Sequence, residues 1–194
     1  SEDLQLEEVE SIRSEEPSED ALLLHAAMRR ASGQFLTLIR AGDTFSPVYL
    51  EQALLVHGAR NGRLAAVSSF WESGRGANRA EFRDQVGTFA GTIFSSDLLS
   101  PGAVYSYAAL VQVNGLLGRV RAHECERWEM HWRLVDAQFS MFTIGEVLYT
   151  AVNPRLATPA ACLAPLRHVY NMVQFPVETI PDPSNFLKRV QMKE

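Results

Sequence analysis

The amino-acid sequence predicts an α+β fold: N-terminal helices, then an antiparallel β-meander, then a C-terminal helix and an extended tail. Two patterns support this order. Apolar residues in the first half recur every three or four positions, which is the spacing of one helix face. In residues 127–134 they alternate with polar residues, which is the spacing of one strand face. Helices followed by neighbouring strands are typical of α+β domains, and an all-α bundle is the alternative.

The first half is predicted to hold three helices. Residues 21–40 carry apolar side chains at helical spacing. A second helix is expected over residues 47–57, because Ser46 can cap its N-terminus and Gly58 can end it. The third is expected over residues 79–94, where the apolar period is again helical.

The middle of the chain supports two interpretations. Asn114-Gly115 lies between apolar pairs, which favours a β-hairpin over residues 111–117 with a type I′ turn. A helix over residues 101–113 is the competing interpretation, because Ser100-Pro101-Gly102 can start one. Residues 60–78 show no clear period apart from a glycine-rich loop near their end.

Strands are predicted in the second half. As a strand, residues 127–134 place Trp128, Met130 and Leu134 on one face, whereas a helix would scatter them around its axis. Residues 144–152 are expected to form another strand. Further along, Thr158-Pro159 and the residues that follow predict a helix to about residue 173. The tail after it contains several prolines and is expected to be extended.

Composition divides the chain into three parts. These are an acidic arm (1–20), a single globular domain (21–175) and a proline-punctuated C-terminal tail (176–194). The arm has nine carboxylates against the single Arg13, so we expect it to be disordered in isolation. Residues 21–194 carry 14 acidic and 17 basic side chains. Neither the net negative charge of the arm nor the small net positive charge of residues 21–194 is large enough to indicate a nucleic-acid partner.

The sequence gives few indications of the cellular compartment of the protein. Cys125 and Cys162 are too few for a disulfide framework, which favours a reducing, intracellular compartment. No run approaches the roughly 18 apolar residues of a membrane-spanning helix, so no span is predicted. The chain starts at Ser1 and not at Met, which leaves room for a removed targeting peptide.

One polar cluster has the residue types of a metal site. His123, Cys125, Glu129 and His131 share one face if this segment is a strand. Residues two apart on a strand are separated by about 6.6 Å, too far for convergence on one ion, so a solvated face is favoured and no metal or other cofactor is predicted. Because the sequence also lacks the motifs of phosphate-binding loops and nucleophile elbows, no catalytic residue is assigned.

Tryptophan and arginine are the commonest anchors of protein interfaces. Trp128 and Trp132 stand beside Arg127 and Arg133, and we predict that they form a buried contact with another chain. The acidic arm is a second candidate docking element. Its candidate contact residues are Glu7, Glu8, Glu15 and Glu16.

Residues 38–45, Leu-Ile-Arg-Ala-Gly-Asp-Thr-Phe, resemble the short BH3 motif of the Bcl-2 apoptosis regulators. The leucine, the Gly-Asp pair and the following hydrophobe are in register. In that family a second signature, Asn-Trp-Gly-Arg, supplies an arginine for the aspartate, and here the nearest segment, 100–103, keeps only the glycine. The resemblance implies a helical regulator.

Three functions therefore follow from the sequence. The first is a non-catalytic structural or protein-interaction subunit that docks on other chains, or on copies of itself, through its arm and tail. The second is a small-molecule-binding or enzymatic α+β domain whose aromatic residues line an apolar pocket. The third is the Bcl-2-like regulator, which requires the all-α fold.

Overall fold

The computed structural model of this protein describes residues 26–60, 62–74, 80–82, 87–89, 99–115 and 123–152, with the backbone alone at 87–89 and 123–126. The predicted α+β class is confirmed, because this part of the chain combines helices with an extensive sheet. The all-α alternative is wrong. The acidic arm, the helix predicted over 158–173 and the C-terminal tail lie outside the described residues.

A seven-stranded sheet forms the centre of the described part of the chain. Its order is β1-β6-β3-β7-β2, while β4 pairs with β3 and β5 pairs with β7. The strands are β1 (Phe35–Thr37), β2 (Thr44–Phe45), β3 (Leu64–Ser73), β4 (Ala80–Phe82), β5 (Gly87–Phe89), β6 (Val104–Ser106) and β7 (Ser140–Ala151). The two long strands, β3 and β7, are neighbours and together form the spine of the sheet.

β3 and β7 run parallel, from Leu64 opposite Ser140 to Ser73 opposite Ala151. This differs from the predicted meander, since a parallel pair needs a crossover connection whereas antiparallel neighbours can be joined by tight turns. Because β6 is antiparallel to both β1 and β3, strands β1, β3 and β7 all point the same way. Their carboxyl ends meet at one side of the sheet, the carboxyl edge, and the opposite side is the amino edge.

Helices cover both faces of the sheet. They are α1 (described over 26–30), α2 (Tyr49–Ala59), α3 (Tyr107–Gln112) and α4 (His123–Asp136). On one face, Tyr49 and Ala53 of α2 pack with Val67 and Trp71 of β3. The other face forms a second core in which residues of α1, α3 and α4 pack against Ala66, Tyr105 and Met141. Neighbouring side chains of β6 point to opposite faces of the sheet. Val104 therefore belongs to the first core and Tyr105 to the second.

Helix α4 corrects the strand predicted over residues 127–134. Five consecutive side chains, from Trp128 to Trp132, are buried, so the helix is enclosed on nearly every side. Polar and apolar residues alternate in this helix because some of its buried positions hold polar side chains, which contact polar groups inside the protein. Glu129 pairs with Arg133, and His131 Nε2 lies 2.8 Å from the hydroxyl of Tyr105. Periodicity identifies a helix only when one face meets water.

Two predicted helices of the first half are replaced by strands. Within the helix expected over 21–40, only residues 26–30 are described as helical, and β1 follows at Phe35–Thr37. Within 79–94 the described residues form β4 and β5. Residues 38–45 lead through a turn into β2, so the helix that a BH3 motif requires does not form. The resemblance to the Bcl-2 regulators is therefore wrong.

Other local predictions are confirmed. The helix expected over residues 47–57 is α2, shifted by two residues at each end. The strand expected over 144–152 is the second half of β7. Of the two interpretations of the middle segment, the helix is correct in kind, because α3 occupies Tyr107–Gln112 and its N-cap, Ser106, accepts a hydrogen bond from Ala109 N.

The Asn114-Gly115 pair adopts the positive φ angles that it predicts, 59° and 53°, but at a helix end and not in a hairpin. Gly115 N donates to Leu110 O at 2.7 Å, which closes the C-terminus of α3. A Cβ at Gly115 would lie 2.5 Å from Met28 Cε, so the end of that side chain would have to move, and the positive φ favours glycine here. Left-handed residues that end helices are common because they satisfy the last carbonyl groups.

Arg133 connects α4 by hydrogen bonds to the turn that follows α3. Its guanidinium donates to both carboxylate oxygens of Glu129 at 2.9 Å, and also to Val113 O and Gly115 O. The side chains of Arg133 and Glu129 are only 14% and 6% exposed, so the ion pair is largely shielded from water. It neutralises two buried charges and satisfies two carbonyls at the end of α3.

We expect Arg133→Met to lower the free energy of unfolding by about 3–5 kcal/mol, since it leaves the Glu129 carboxylate buried without its ion partner. The double variant Glu129→Met/Arg133→Met should regain part of this loss, because no unpaired charge remains. Urea denaturation followed by tryptophan fluorescence measures both, with the exposed Arg29→Ala as the matched control, expected within about 0.5 kcal/mol of the parent. Equal stability of the single and double variants would contradict this role.

Candidate functional site

Polar side chains collect at the carboxyl edge of the sheet. Asp43 lies in the turn between β1 and β2, and Glu72 is near the end of β3. Tyr149 and Thr150 are near the end of β7, where they pair with β2. In sheets with parallel strands, ligands bind in the crevice outside the carboxyl ends. This edge is therefore the candidate site.

Asp43 joins the loop after β1 to the end of β7. The Tyr149 hydroxyl donates to Asp43 Oδ2 at 2.6 Å, and Val152 N donates to Asp43 Oδ1 at 2.9 Å. The turn that presents the carboxylate has Gly42 at φ 93°, which a residue with a Cβ rarely adopts. Both carboxylate oxygens thus serve to fix the edge.

A second tyrosine lies beneath this contact. The hydroxyl of Tyr49, on α2, donates to Gly102 O at 3.0 Å, and Thr37 Oγ1 donates to the same carbonyl at 3.1 Å. A Cβ at Gly102 would lie 2.0 Å from the ring of Tyr149, so only glycine allows the ring and the carbonyl to coexist. Gly102 therefore holds β1, α2 and β7 together at the carboxyl edge.

The two phenols are strongly biased toward their neutral forms. Burial raises the pKa of Tyr49 to about 12. Burial likewise raises the pKa of Tyr149, and its hydrogen bond to the anionic Asp43 raises it further. The phenol of Tyr149 therefore acts as a hydrogen-bond donor, and not as a base, throughout the physiological pH range.

Positive charge reaches the edge from α4. A short turn connects the C-terminus of α4 to the start of β7. Arg127, in the second turn of α4, is half-buried and near enough to Tyr149 to lower the pKa of that phenol slightly. The edge thus combines a cationic side with the Asp43 carboxylate and the Glu72 carboxylate, which accepts from Thr150 Oγ1 at 3.0 Å.

The structure separates the residues predicted to form an interface. Trp128 and Trp132 are 1% and 7% exposed and belong to the core under α4, so little of either indole is available to another chain. Arg133 is committed to Glu129 and the end of α3. Of the four, Arg127 alone lies at the candidate site. Glu7, Glu8, Glu15 and Glu16 lie outside the described residues.

The polar cluster weighed as a metal site is only partly described. Within the described part of the chain, no three His, Cys, Asp or Glu side chains come together as metal ligands. His131 is fully buried against Tyr105, and the side chains of His123 and Cys125 are not described. None of the helices of the described residues is long and apolar enough to span a bilayer.

The sequence pattern does not predict the carboxyl edge, because residues 21–40 have the apolar spacing of a helix. The signal was present: Thr37 and Ile39 are β-branched, and Gly42-Asp43 is a typical turn pair. A strand followed by such a turn would have placed Asp43 at the end of a sheet.

Comparison with known proteins identifies structures with a similar fold but no matching family. No family description and no curated protein matches the sequence. Solved structures do match, among them residues 1–349 of Staphylococcus aureus TarS, with a TM-score of 0.55 and 13% identity over 84% of this chain. Another structure of the same protein gives 0.56 and 13% over the same share. The chain spans 46% and 28% of those two chains, and at this identity the likeness concerns the fold alone.

The buried phenols predict a steep loss of stability in alkali. Since the pKa of Tyr49 is raised from 10.0 to about 12 in the folded protein, its contribution is complete below pH 10 and is lost between pH 10 and 12. The same direction holds for Tyr149. We expect the free energy of unfolding to fall in this window by about 1.4 kcal/mol per pH unit for each phenol.

Urea denaturation between pH 9 and 11.5 measures this slope. Tyr49→Phe and Tyr149→Phe should each flatten it, and the double variant should flatten it most. Tyr107→Phe, at a half-exposed position on α3, is the control and should leave it unchanged. A double variant with the slope of the parent would refute the assignment.

Proposed function

We propose that this chain is a glycosyltransferase-type domain that binds a nucleotide sugar at the carboxyl edge of its sheet. The observation that carries the proposal is the likeness in fold to TarS, a glycosyltransferase, over 84% of this chain. Arg127 near the Tyr149–Asp43 contact supports it. A diphosphate is an anion that an arginine side chain binds through charge-assisted hydrogen bonds.

The proposal concerns binding and assigns no transfer step. Asp43 accepts hydrogen bonds on both oxygens, and Glu72 accepts one from Thr150. A general base must be able to take a proton from the attacking hydroxyl group. Asp43 and Glu72 already accept hydrogen bonds within the chain, so we assign them a role in holding the edge in place.

Isothermal titration calorimetry with UDP-glucose, UDP and glucose tests this function. We expect UDP-glucose and UDP to bind and glucose alone not to bind, because the diphosphate supplies most of the attraction. Arg127→Ala should weaken UDP-glucose binding about tenfold, the contribution of one charge-assisted contact. Arg29→Ala, on α1, is the matched control and should bind as the parent does.

Two results would overturn the proposal. The first is the absence of binding heat for UDP-glucose and UDP at millimolar concentration. The second is an equal effect of Arg127→Ala and Arg29→Ala, which would place the ligand away from the carboxyl edge. Thermal unfolding of each variant shows that the fold is retained.

A protein-interaction subunit is the second candidate, and one surface favours it. Val48, Leu54 and Leu55, at the start and along the outer side of α2, are 43%, 44% and 66% exposed. Exposed large apolar residues grouped on one helix are typical of interfaces, and the partner we propose is a second copy of this chain.

Size-exclusion chromatography with light scattering tests the second candidate. We expect a dimer for the parent at high micromolar concentration and a monomer for Leu54→Glu/Leu55→Glu. Val111→Glu changes another exposed apolar residue, on α3, and should leave the dimer intact. A monomeric parent would exclude this candidate.

A further inference from the structure

A cleft opens at the amino edge of the sheet, on the side opposite the candidate site. It has a volume of about 430 Å³ and lies between the residues before β3, the end of β6, the outer side of α3 and the turn from α4 to β7. Sites for small ligands usually enclose about 300–1,000 Å³. The cleft is therefore large enough for a monosaccharide and separate from the carboxyl edge.

The side chains that line the cleft have a distinct chemistry. Arg63, Gln112 and Gln138 supply a guanidinium and two carboxamides, and Phe139 supplies an aromatic ring. The other lining residues are small, and none of the nine is acidic. Carboxamides both donate and accept hydrogen bonds, as sugar hydroxyls do, and an aromatic ring offers an apolar surface to a sugar ring.

Backbone hydrogen bonds fix the two loops that carry Arg63 and Gln138. Ser140 N donates to Arg63 O at 2.9 Å, which ties the loop before β3 to the start of β7. Gln138 has a φ of 62° in the turn that ends α4, and Gln138 N donates to Val135 O at 2.9 Å. Arg63, Gln112 and Gln138 are all exposed, so their side chains can reach a ligand from solvent.

We propose that this cleft binds an acidic monosaccharide, with the anionic group on Arg63 and the hydroxyls on Gln112 and Gln138. Arginine recognises planar carboxylates and phosphates through two parallel hydrogen bonds. The choice of a sugar rests on the proposed function, whereas the choice of an anion rests on Arg63 and the acid-free lining. A uronic acid and a sugar phosphate share the required chemistry.

Titration of the labelled full chain with glucuronate, followed by NMR, tests the cleft directly. We expect the side-chain amide signals of Gln112 and Gln138 to shift, with glucose 1-phosphate acting similarly and glucose binding about tenfold more weakly. Arg63→Ala should weaken glucuronate binding about tenfold, and Gln112→Ala should weaken it less. Arg29→Ala again serves as the control and should have no effect.

Three results would overturn the inference. They are unshifted Gln112 and Gln138 amides at saturating glucuronate, equal binding of glucose and glucuronate, and inorganic phosphate binding as tightly as glucose 1-phosphate. The experiments test the two proposed sites independently. If Arg127→Ala weakens UDP-glucose binding about tenfold while Arg63→Ala leaves glucuronate binding unchanged, the cleft is wrong and the carboxyl edge stands. The opposite pattern rejects the carboxyl edge and keeps the cleft.

Discussion

The parallel pairing of β3 with β7 is the constraint on which the rest of this structure depends. Parallel neighbours cannot be joined by a turn, so the chain must cross between them, and α3 and α4 lie on that route. This pairing gives β3 and β7 the same direction, and β6, antiparallel to both β1 and β3, gives β1 that direction too. Asp43 and Tyr149 lie at the carboxyl edge, and the cleft beside Arg63 lies at the amino edge.

Burial of α4 in the core that it shares with α1, α3 and the sheet places polar residues where water cannot reach them. Burial of a charge is tolerated when it is paired and hydrogen-bonded, and Glu129 and Arg133 meet that condition. Arg133 also satisfies carbonyl groups at the turn after α3, so the ion pair and the helix end stabilise each other. The tyrosines of the carboxyl edge follow the same rule, since Tyr49 and Tyr149 are buried with an acceptor for each hydroxyl.

Local signals of the sequence were sufficient for some elements. The helix α2 and the second half of the strand β7 were predicted close to their observed positions. The Asn114-Gly115 pair predicted its positive φ angles, but the choice between a hairpin and a helix end depended on Met28 and Arg133, which are distant in the chain. The candidate site was not predicted, because Asp43 and Tyr149 are separated by more than half of the chain.

The sequence by itself determined the α+β class, the helix at α2, the second half of β7 and the positive φ angles of Asn114-Gly115, because these depend on residues near one another. Only the tertiary structure decided that residues 127–134 form a helix, that β3 and β7 are parallel, and which polar residues share an edge. A buried helix shows no amphipathic period, and the pairing of distant strands leaves no local trace. The positions of Trp128 and Trp132 show the same limit, since an indole suited to an interface is equally suited to a core.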